Sequence, residues 1–356
     1  MIYIHVPFCR SFCTYCDFYS EIACKGKDRD AFESWTAGIC SEISSRRAEI
    51  EETDALKTIY IGGGTPSVLP LSCFEKIAET LGAGPQEEFT VEVNPDDIVR
   101  NGEDYVKGLL SLGVNRISMG VQSLDDGMLR WMNRRHDAEE ARKAYDILRN
   151  AGVKNISVDL IFGISTLSRE TLENTIDGLL SWKPDHISAY QLSIEEGSAL
   201  KQMVDKGQYE EAGDELCGSQ YALICKRLAA AGFHHYEISN WAVPGHEAVH
   251  NSAYWERLPY VGLGPGAHSF IGNVRSWNSQ ELSGWTAEKE VLTPEDERVE
   301  TIMLGLRTDK GIDAQLCNPR ILSCMVSEGA LEAAGDRVRI PESRFFVSDE
   351  IIRALL

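Results

Sequence analysis

No apolar run in this chain approaches the roughly 20 residues needed to span a bilayer. The N-terminus is an apolar strand running into cysteines, without the basic stretch and cleavable apolar core of an export signal. The expected place of work is therefore the cytoplasm. Basic residues are also scarce: 35 Lys and Arg against 55 Asp and Glu leave a net charge of −20. That balance argues against sequence-independent nucleic-acid binding and against docking on anionic lipid, since both draw on clustered Lys and Arg. Internal repeats and low-complexity tracts are absent as well, which removes solenoids and tethered tails from consideration. What is there is the composition of a globular protein, 43% hydrophobic and 25% charged. Its 356 residues suffice for about two domains.

Ten cysteines are present, and without an export signal they are expected to stay reduced. Three of them fall in Pro7-Phe8-Cys9-Arg10-Ser11-Phe12-Cys13-Thr14-Tyr15-Cys16-Asp17-Phe18, directly after an apolar strand over residues 1–6 that Pro7 ends. A Cys-x3-Cys-x2-Cys loop can bring three thiolates to one centre, leaving one position of a four-iron cluster or of a tetrahedral zinc unfilled. A zinc would need a fourth side chain, for which His5 and Asp17 are nearest in sequence; a cluster iron without a thiolate can bind a small molecule instead. Spacing alone leaves both open. Cys24, Cys40, Cys73, Cys217, Cys225, Cys317 and Cys324 show no second metal-like spacing and read as small structural hydrophobes.

Apolar, β-branched runs predict strands over 1–6, 58–61, 89–93, 116–119, 156–162 and 186–192. Helical patterns lie between them, over 28–51, 73–81, 104–112, 138–151 and 169–182. Six strands alternating with helices imply right-handed crossovers and a parallel sheet, either curled into a partial (β/α)6 barrel or laid open and doubly wound. Both architectures put working groups at the C-terminal strand ends. Gly62-Gly63-Gly64-Thr65-Pro66 follows the second strand there, with free backbone N–H groups for a ligand. Glu92 and Asn94 end the third strand, Gly120-Val121-Gln122-Ser123 the fourth, and Asp159 lies near the end of the fifth.

The cysteine spacing and these strand-end motifs together resemble the radical S-adenosylmethionine (SAM) superfamily, in which the open iron of a [4Fe–4S] cluster binds the amino and carboxylate groups of SAM. The resemblance implies the partial barrel, with Cys9, Cys13 and Cys16 as cluster ligands. Over residues 1 to roughly 270 the sequence is similar to the branch containing oxygen-independent coproporphyrinogen III oxidase. The SAM-contacting positions of that branch fall on Tyr3, Tyr15, Gly63, Gly64, Thr65, Glu92, Gln122, Arg134 and Asp159. The residue types suit such a ligand, with an acid for an ammonium, an acid for ribose hydroxyls, and Arg and Gln for carboxylate or hydroxyl groups.

Further along, His250-Asn251-Ser252-Ala253-Tyr254-Trp255 matches a His-Asn-x-x-Tyr-Trp motif of the HemW-like heme chaperones related to the oxidase. The resemblance implies heme bound at His250, Tyr254 and Trp255, with His250 the ligand to heme iron and His268 the second choice. Residues 262–269, rich in Gly, are expected to close over the cofactor cavity. Thr293-Pro294-Glu295-Asp296-Glu297 has the cap, the proline and the acids of a helix start. The expected division is 1–285, the barrel with its heme-motif extension, and 286–356, a small winged-helix-like unit with a hairpin near 338–340.

The implied function is a heme chaperone that binds heme, a [4Fe–4S] cluster and SAM and delivers heme to acceptor proteins. The alternatives are the oxidase itself, which would decarboxylate a porphyrinogen with SAM, and a zinc-stabilised binding module. Three features favour the chaperone over the oxidase. Phe18 stands where oxidases carry a further cysteine, Cys9 lies close to the start of the sequence, and the 250–255 motif is complete. Whether the chain acts as an enzyme is left open. Implied partners are a heme-acceptor protein and an electron donor for the cluster, with a homodimer left open and no nucleic acid.

Overall fold

The computed structural model describes residues 1–22, 28–82 and 84–356; Cys24 lies outside the described residues. Strands β1 (Ile2–Val6), β2 (Thr58–Gly63), β3 (Glu88–Val93), β4 (Arg116–Gln122), β5 (Asn155–Phe162) and β6 (His186–Gln191) pair in chain order, every pair parallel. Strands β7 (His234–Glu237) and β8 (Asn240–Ala242) extend the sheet antiparallel beyond β6. Strand β9 (Val261–Leu263) adds to the outer side of β1 in parallel. The order β9-β1-β2-β3-β4-β5-β6-β8-β7 leaves the end strands β9 and β7 unpaired with each other. This is the expected parallel α/β core in its open-barrel form.

Alternation along the strands explains the shape. Ile59, Ile61, Val91, Val93, Ile117, Met119, Ile156 and Val158 are buried in the main hydrophobic core. The crossover helices α1 (Asp28–Ser45), α2 (Leu71–Leu81), α3 (Pro95–Ser111), α4 (Ala138–Ala151) and α5 (Arg169–Ser181) contribute to that same core. Residues of the opposite parity are polar and bond to one another across the barrel interior. Tyr60 Oη donates to Glu92 Oε1 at 2.6 Å, Ser118 Oγ to Asp159 Oδ1 at 3.4 Å, and Ser157 Oγ meets His186 Nδ1 at 2.7 Å. Arg116, only 1% exposed, reaches Thr90 Oγ1 at 3.5 Å. Such a lining is tolerable because most of its members bond to one another.

Helix α3 starts nine residues before the predicted 104–112. Pro95 at its first position and Asp96 and Asp97 in its first turn suit a helix N-terminus. Gly102, at φ 75°, breaks the helical conformation and hides this first segment from a periodicity reading. After β6 come α6 (Asp214–Ala230) and α7 (Val249–Trp255). The backbone N–H groups of Val249 and His250 donate to Glu88 at 2.7 and 3.2 Å, so α7 lies at the N-terminal strand ends, opposite the glycine motif.

Residues 262–269, expected to cover the cofactor cavity, do something else. They form β9, a turn, and the start of β10 (His268–Ile271), which with β11 (Val274–Asn278) and β12 (Ala287–Val291) makes an antiparallel sheet. Glycine is required at 262 because any Cβ there would collide with the His268 backbone. Beyond the capping box of Thr293 and Asp296 come α8 (Pro294–Gly305), β13 (Ile312–Asp313), α9 (Pro319–Ser327), the hairpin of β14 (Glu332–Ala334) and β15 (Arg337–Arg339), and α10 (Ser348–Leu355). Because β12 pairs upstream, we propose Thr293 rather than residue 286 as the start of this winged-helix-like unit. Cys73, Cys217 and Cys317 are buried, whereas Cys324 is exposed and donates to Glu328.

One buried acid gives the fold a pH dependence. Glu237 is 0% exposed, accepts from Asn240 Nδ2, and has no partner for Oε2. Burial pushes its pKa from 4.5 up to about 7. A raised carboxyl pKa means that the folded state holds the proton longer than the unfolded chain. Its contribution is complete below pH 4.5 and is lost as pH rises through 7. The loss is on the order of 3 kcal/mol. Glu237→Gln should flatten the stability profile of the ligand-free protein between pH 5 and 8 in denaturant titrations; a profile as steep as that of the parent would refute the assignment.

Candidate cluster and ligand site

The C-terminal strand ends surround a cavity of 540 Å3, and all three motif cysteines line it. Their loop is fixed by contacts from outside itself. Thr14 N donates to Met132 O at 3.0 Å and Thr14 Oγ1 to Trp131 O at 2.8 Å. Asn133 Nδ2 donates to Phe12 O at 2.7 Å, and Leu200 N to Thr14 O at 2.7 Å. Arg10, inside the loop, pairs at 3.1 Å with Asp97, whose side chain is 0% exposed. Asp97 also takes Ser67 Oγ at 3.0 Å and the guanidinium groups of Arg100 and Arg135.

The thiols are held from the strand side as well. Cys9 Sγ and Thr65 Oγ1 share a hydrogen bond at 3.3 Å, and Asn94 Nδ2 donates to the same hydroxyl at 3.2 Å. Arg134 Nη2 donates to Asn94 Oδ1, and its Nη1 to Cys13 Sγ at 3.3 Å. Burial raises the pKa of Cys9 and lifts that of Cys16 to about 11. Burial thus favours the neutral thiol at Cys9 and Cys16, and a bound metal centre would supply the positive charge that makes them thiolates.

The remaining lining suits a polar, zwitterionic ligand beside that centre. Gly63 adopts φ +107° with a Cβ position filled by the His5 ring, and a Cβ on Gly64 would strike the carbonyls of Val6 and Phe8. Gln122 has φ +70°, unusual for a residue with a side chain, where the pairing of β4 with β5 becomes irregular. Such strain costs roughly 1 kcal/mol or more and persists only where the surroundings impose it. Gln122 Oε1, Arg134 Nε and Asp96 Oδ1 are buried without partners. Orphaned acceptors and a donor around one cavity are what an absent ligand with both charges would satisfy.

Glu92 accepts from Tyr60 Oη on one oxygen and from Gly63 N, at 3.1 Å, on the other. Burial, with Asp159 nearby, pushes its pKa up to about 7; burial raises Asp159 to about 6. An ammonium group arriving at this pair would draw both toward the ionised form.

Tyr15, Gly63, Gly64, Thr65, Glu92, Gln122, Arg134 and Asp159 line the cavity together. Tyr3 does not; its hydroxyl bonds His5 Nδ1 at 3.0 Å, and its ring lies 6.1 Å from that of Tyr60. His5 is thereby spent, because Tyr19 O takes its Nε2 at 2.9 Å. It is no fourth zinc ligand. Sequence reasoning left Asn94 without a role and missed Arg135, His136 and Tyr190 in the lining. The Arg134-Arg135-His136 run after the short helix Asp126–Trp131 was the available signal.

The reading of His250 as heme ligand needs correction. Its ring is 0% exposed, with Nδ1 on Thr58 Oγ1 at 2.8 Å and Nε2 on Tyr254 Oη at 2.9 Å. Burial lowers its pKa to about 3. Both nitrogens are committed, so the imidazole offers no lone pair to iron. Tyr254 packs edge-on against Tyr260 with ring centres 4.7 Å apart, and Trp255 is half-buried. In this arrangement His250 and Tyr254 form the hydrogen-bonded floor of the barrel.

Residues 3–179 match the family model for the radical SAM superfamily. Curated relatives include the heme chaperone HemW of Synechocystis, 34% identical, with 87% of this chain and 78% of that protein covered. HemW of Bacillus subtilis is 30% identical over 99% of this chain and 98% of its own length. A radical S-adenosyl methionine domain-containing protein 1, mitochondrial, from Danio rerio is 30% identical over 88% and 74%. Among solved structures, coproporphyrinogen III oxidase from Escherichia coli superposes with a TM-score of 0.82 at 18% identity, covering 99% of this chain and 89% of that one. It shares the fold.

His250→Ala leaves the hydroxyls of Thr58 and Tyr254 unpaired over a void, at a cost of about 3 kcal/mol. Thermal and denaturant unfolding should show that loss, while the heme-bound spectrum of the folded protein stays as in the parent. A spectral change without destabilisation would restore His250 as the ligand.

Proposed function

The chain belongs to the HemW heme chaperones of the radical SAM superfamily, and from that premise we propose that it carries heme to acceptor proteins, with a [4Fe–4S] cluster and SAM in the strand-end cavity. The observation that carries this reading is the relation to HemW proteins along nearly the whole of both chains. The cavity supports it independently through three cysteines, two buried acids whose pKa values are raised by burial, and unpaired polar atoms.

Cys9, Cys13 and Cys16 would hold three irons of the cluster and leave the fourth without a protein thiolate. A reduced cluster of this kind supplies one electron to a sulfonium ligand. Around it, Glu92 and the Gly63-Gly64-Thr65 turn would take the ammonium group of SAM, Asp159 the ribose hydroxyls, and Arg134 and Gln122 the carboxylate or hydroxyl groups. Tyr15 would pack beside the cluster. Tyr3 acts only through His5, as a support beneath the glycine turn. The Thr65–Asn94–Arg134 hydrogen bonds keep two thiols at fixed positions relative to that ligand.

Phe18, where the oxidase would carry a cysteine, is 67% exposed at the cavity mouth. It offers no further thiolate. An acceptor for heme and an electron donor for the cluster are the partners this function requires. Among the described residues no helix is long and apolar enough to cross a membrane, and we place the work of the protein in the cytoplasm.

Anaerobically purified Cys9→Ala, Cys13→Ala and Cys16→Ala proteins should each lose most cluster iron and sulfide yet still bind heme. Full iron in any of them would overturn the cluster assignment. With coproporphyrinogen III, SAM and reductant, the parent protein should show no multiple-turnover decarboxylation; robust SAM-dependent turnover would make it an oxidase.

A further inference from the structure

A protein that carries heme needs a donor to iron that is both unpartnered and reachable. The eight histidines can be sorted by that requirement. His5, His186, His235 and His250 are buried with both ring nitrogens bonded. His136 is 4% exposed and bonds Val121 O. His234 is exposed, but Glu247 holds its Nδ1 at 3.0 Å and Asp309 its Nε2 at 2.8 Å. His246 has no ring partner, but it is only half-exposed and has no aromatic ring beside it. His268 is exposed, makes no ring hydrogen bond among the described residues, and stacks on the indole of Trp277 with ring centres 6.2 Å apart and planes 29° apart.

The sheet geometry fixes this pair. His268 opposes Trp277 across β10 and β11, so both side chains project from one face, with Phe270 and Arg275 the next pair on that face and Phe270 buried under the guanidinium of Arg257. We propose that His268 is the axial ligand of the carried heme, which lies on this open face against the edge of Trp277. The inference rests on the heme-carrier reading and assigns its site. An imidazole supplies the bond to iron and the indole edge an apolar neighbour to the macrocycle.

The charge around the face fits a carrier. Arg275 is already taken by Glu290 and Glu300, and Glu288 stands opposite Trp277 on the same face. With Arg257 and Arg275 paired to acids, the face offers the heme propionates no free cation, and they would stay in solvent. Delivery is then a ligand exchange: the Fe–N bond to His268 breaks as a donor of the acceptor protein bonds the iron. Neither partner is oxidised or reduced.

The test is a titration of the full-length, cluster-loaded protein with hemin, beside one with metal-free protoporphyrin. The parent should develop the Soret band of an imidazole-ligated heme. His268→Ala should shift that band and weaken hemin binding about tenfold or more, and added free imidazole should restore the band. Metal-free protoporphyrin should bind the parent and His268→Ala alike, and Trp277→Ala should weaken both ligands. His268→Ala with the parent spectrum and affinity overturns this site, as does a loss seen only in His246→Ala. If the parent itself binds no hemin, the heme-carrier reading fails as well. Because His268 is exposed, unfolding curves of the variant should overlay those of the parent.

Discussion

Two of the three motif cysteines are joined through the barrel by one chain of hydrogen bonds, Cys9 to Thr65 to Asn94 to Arg134 to Cys13. The two cysteines share the loop after β1, and the three residues between them come from the turn after β2, the end of β3 and the segment after β4. The distance between the two thiols is therefore set by the strand register. A loop of small size with three sulfur ligands has many conformations of similar energy, and cluster assembly would have to pay for selecting one. Here that selection is made during folding. Asp97 extends the same logic outward, since its buried carboxylate binds Arg10 of the loop and Arg135 beside Arg134. Removing it would leave guanidinium groups unpaired on both sides of the cavity.

The polar interior of the barrel has a different consequence at each end. At the C-terminal end, polar groups are left unpaired and acids titrate near neutrality, as a site awaiting a charged ligand requires. At the N-terminal end the histidines have found partners: His250 with Thr58 and Tyr254, His186 with Ser157 and Tyr236. The same residue types thus serve binding at one end and structure at the other. Whether a given ring nitrogen or carboxylate oxygen has a partner decides its role, and that cannot be read from composition.

That distinction explains what was legible in the sequence. The six parallel strands were, because β-branched runs separated by helical periodicity admit few topologies. Eight of the nine residues expected around SAM line one cavity, since a parallel sheet brings all C-terminal strand ends to one side. Tyr3 fails because it sits on β1 below the glycine turn, a matter of depth along the strand that a motif does not encode. His250 fails for a related reason: a motif names a side chain but not whether its nitrogens are spoken for. The sheet of β10, β11 and β12 was missed because its strands are short and polar, and β12 is exposed throughout. Nothing in Ala287-Glu288-Lys289-Glu290-Val291 marks a buried face.

The cysteine loop and the His268 face are not independent bodies. The turn that leads into His268 passes Gly266, whose missing Cβ would lie 3.6 Å from the Tyr19 ring. Tyr19 follows Cys16 by three residues, and its carbonyl holds His5 Nε2. His5 in turn fills the space that a side chain on Gly63 would occupy, under the glycine turn of the cavity. A short packed path therefore runs from the turn before His268 through Tyr19 and His5 to Gly63. Tyr19 closes the cysteine loop, and its ring lies beside the turn that carries His268. The glycine turn of the cavity and the turn before His268 therefore rest on the same few contacts, which fix their positions together.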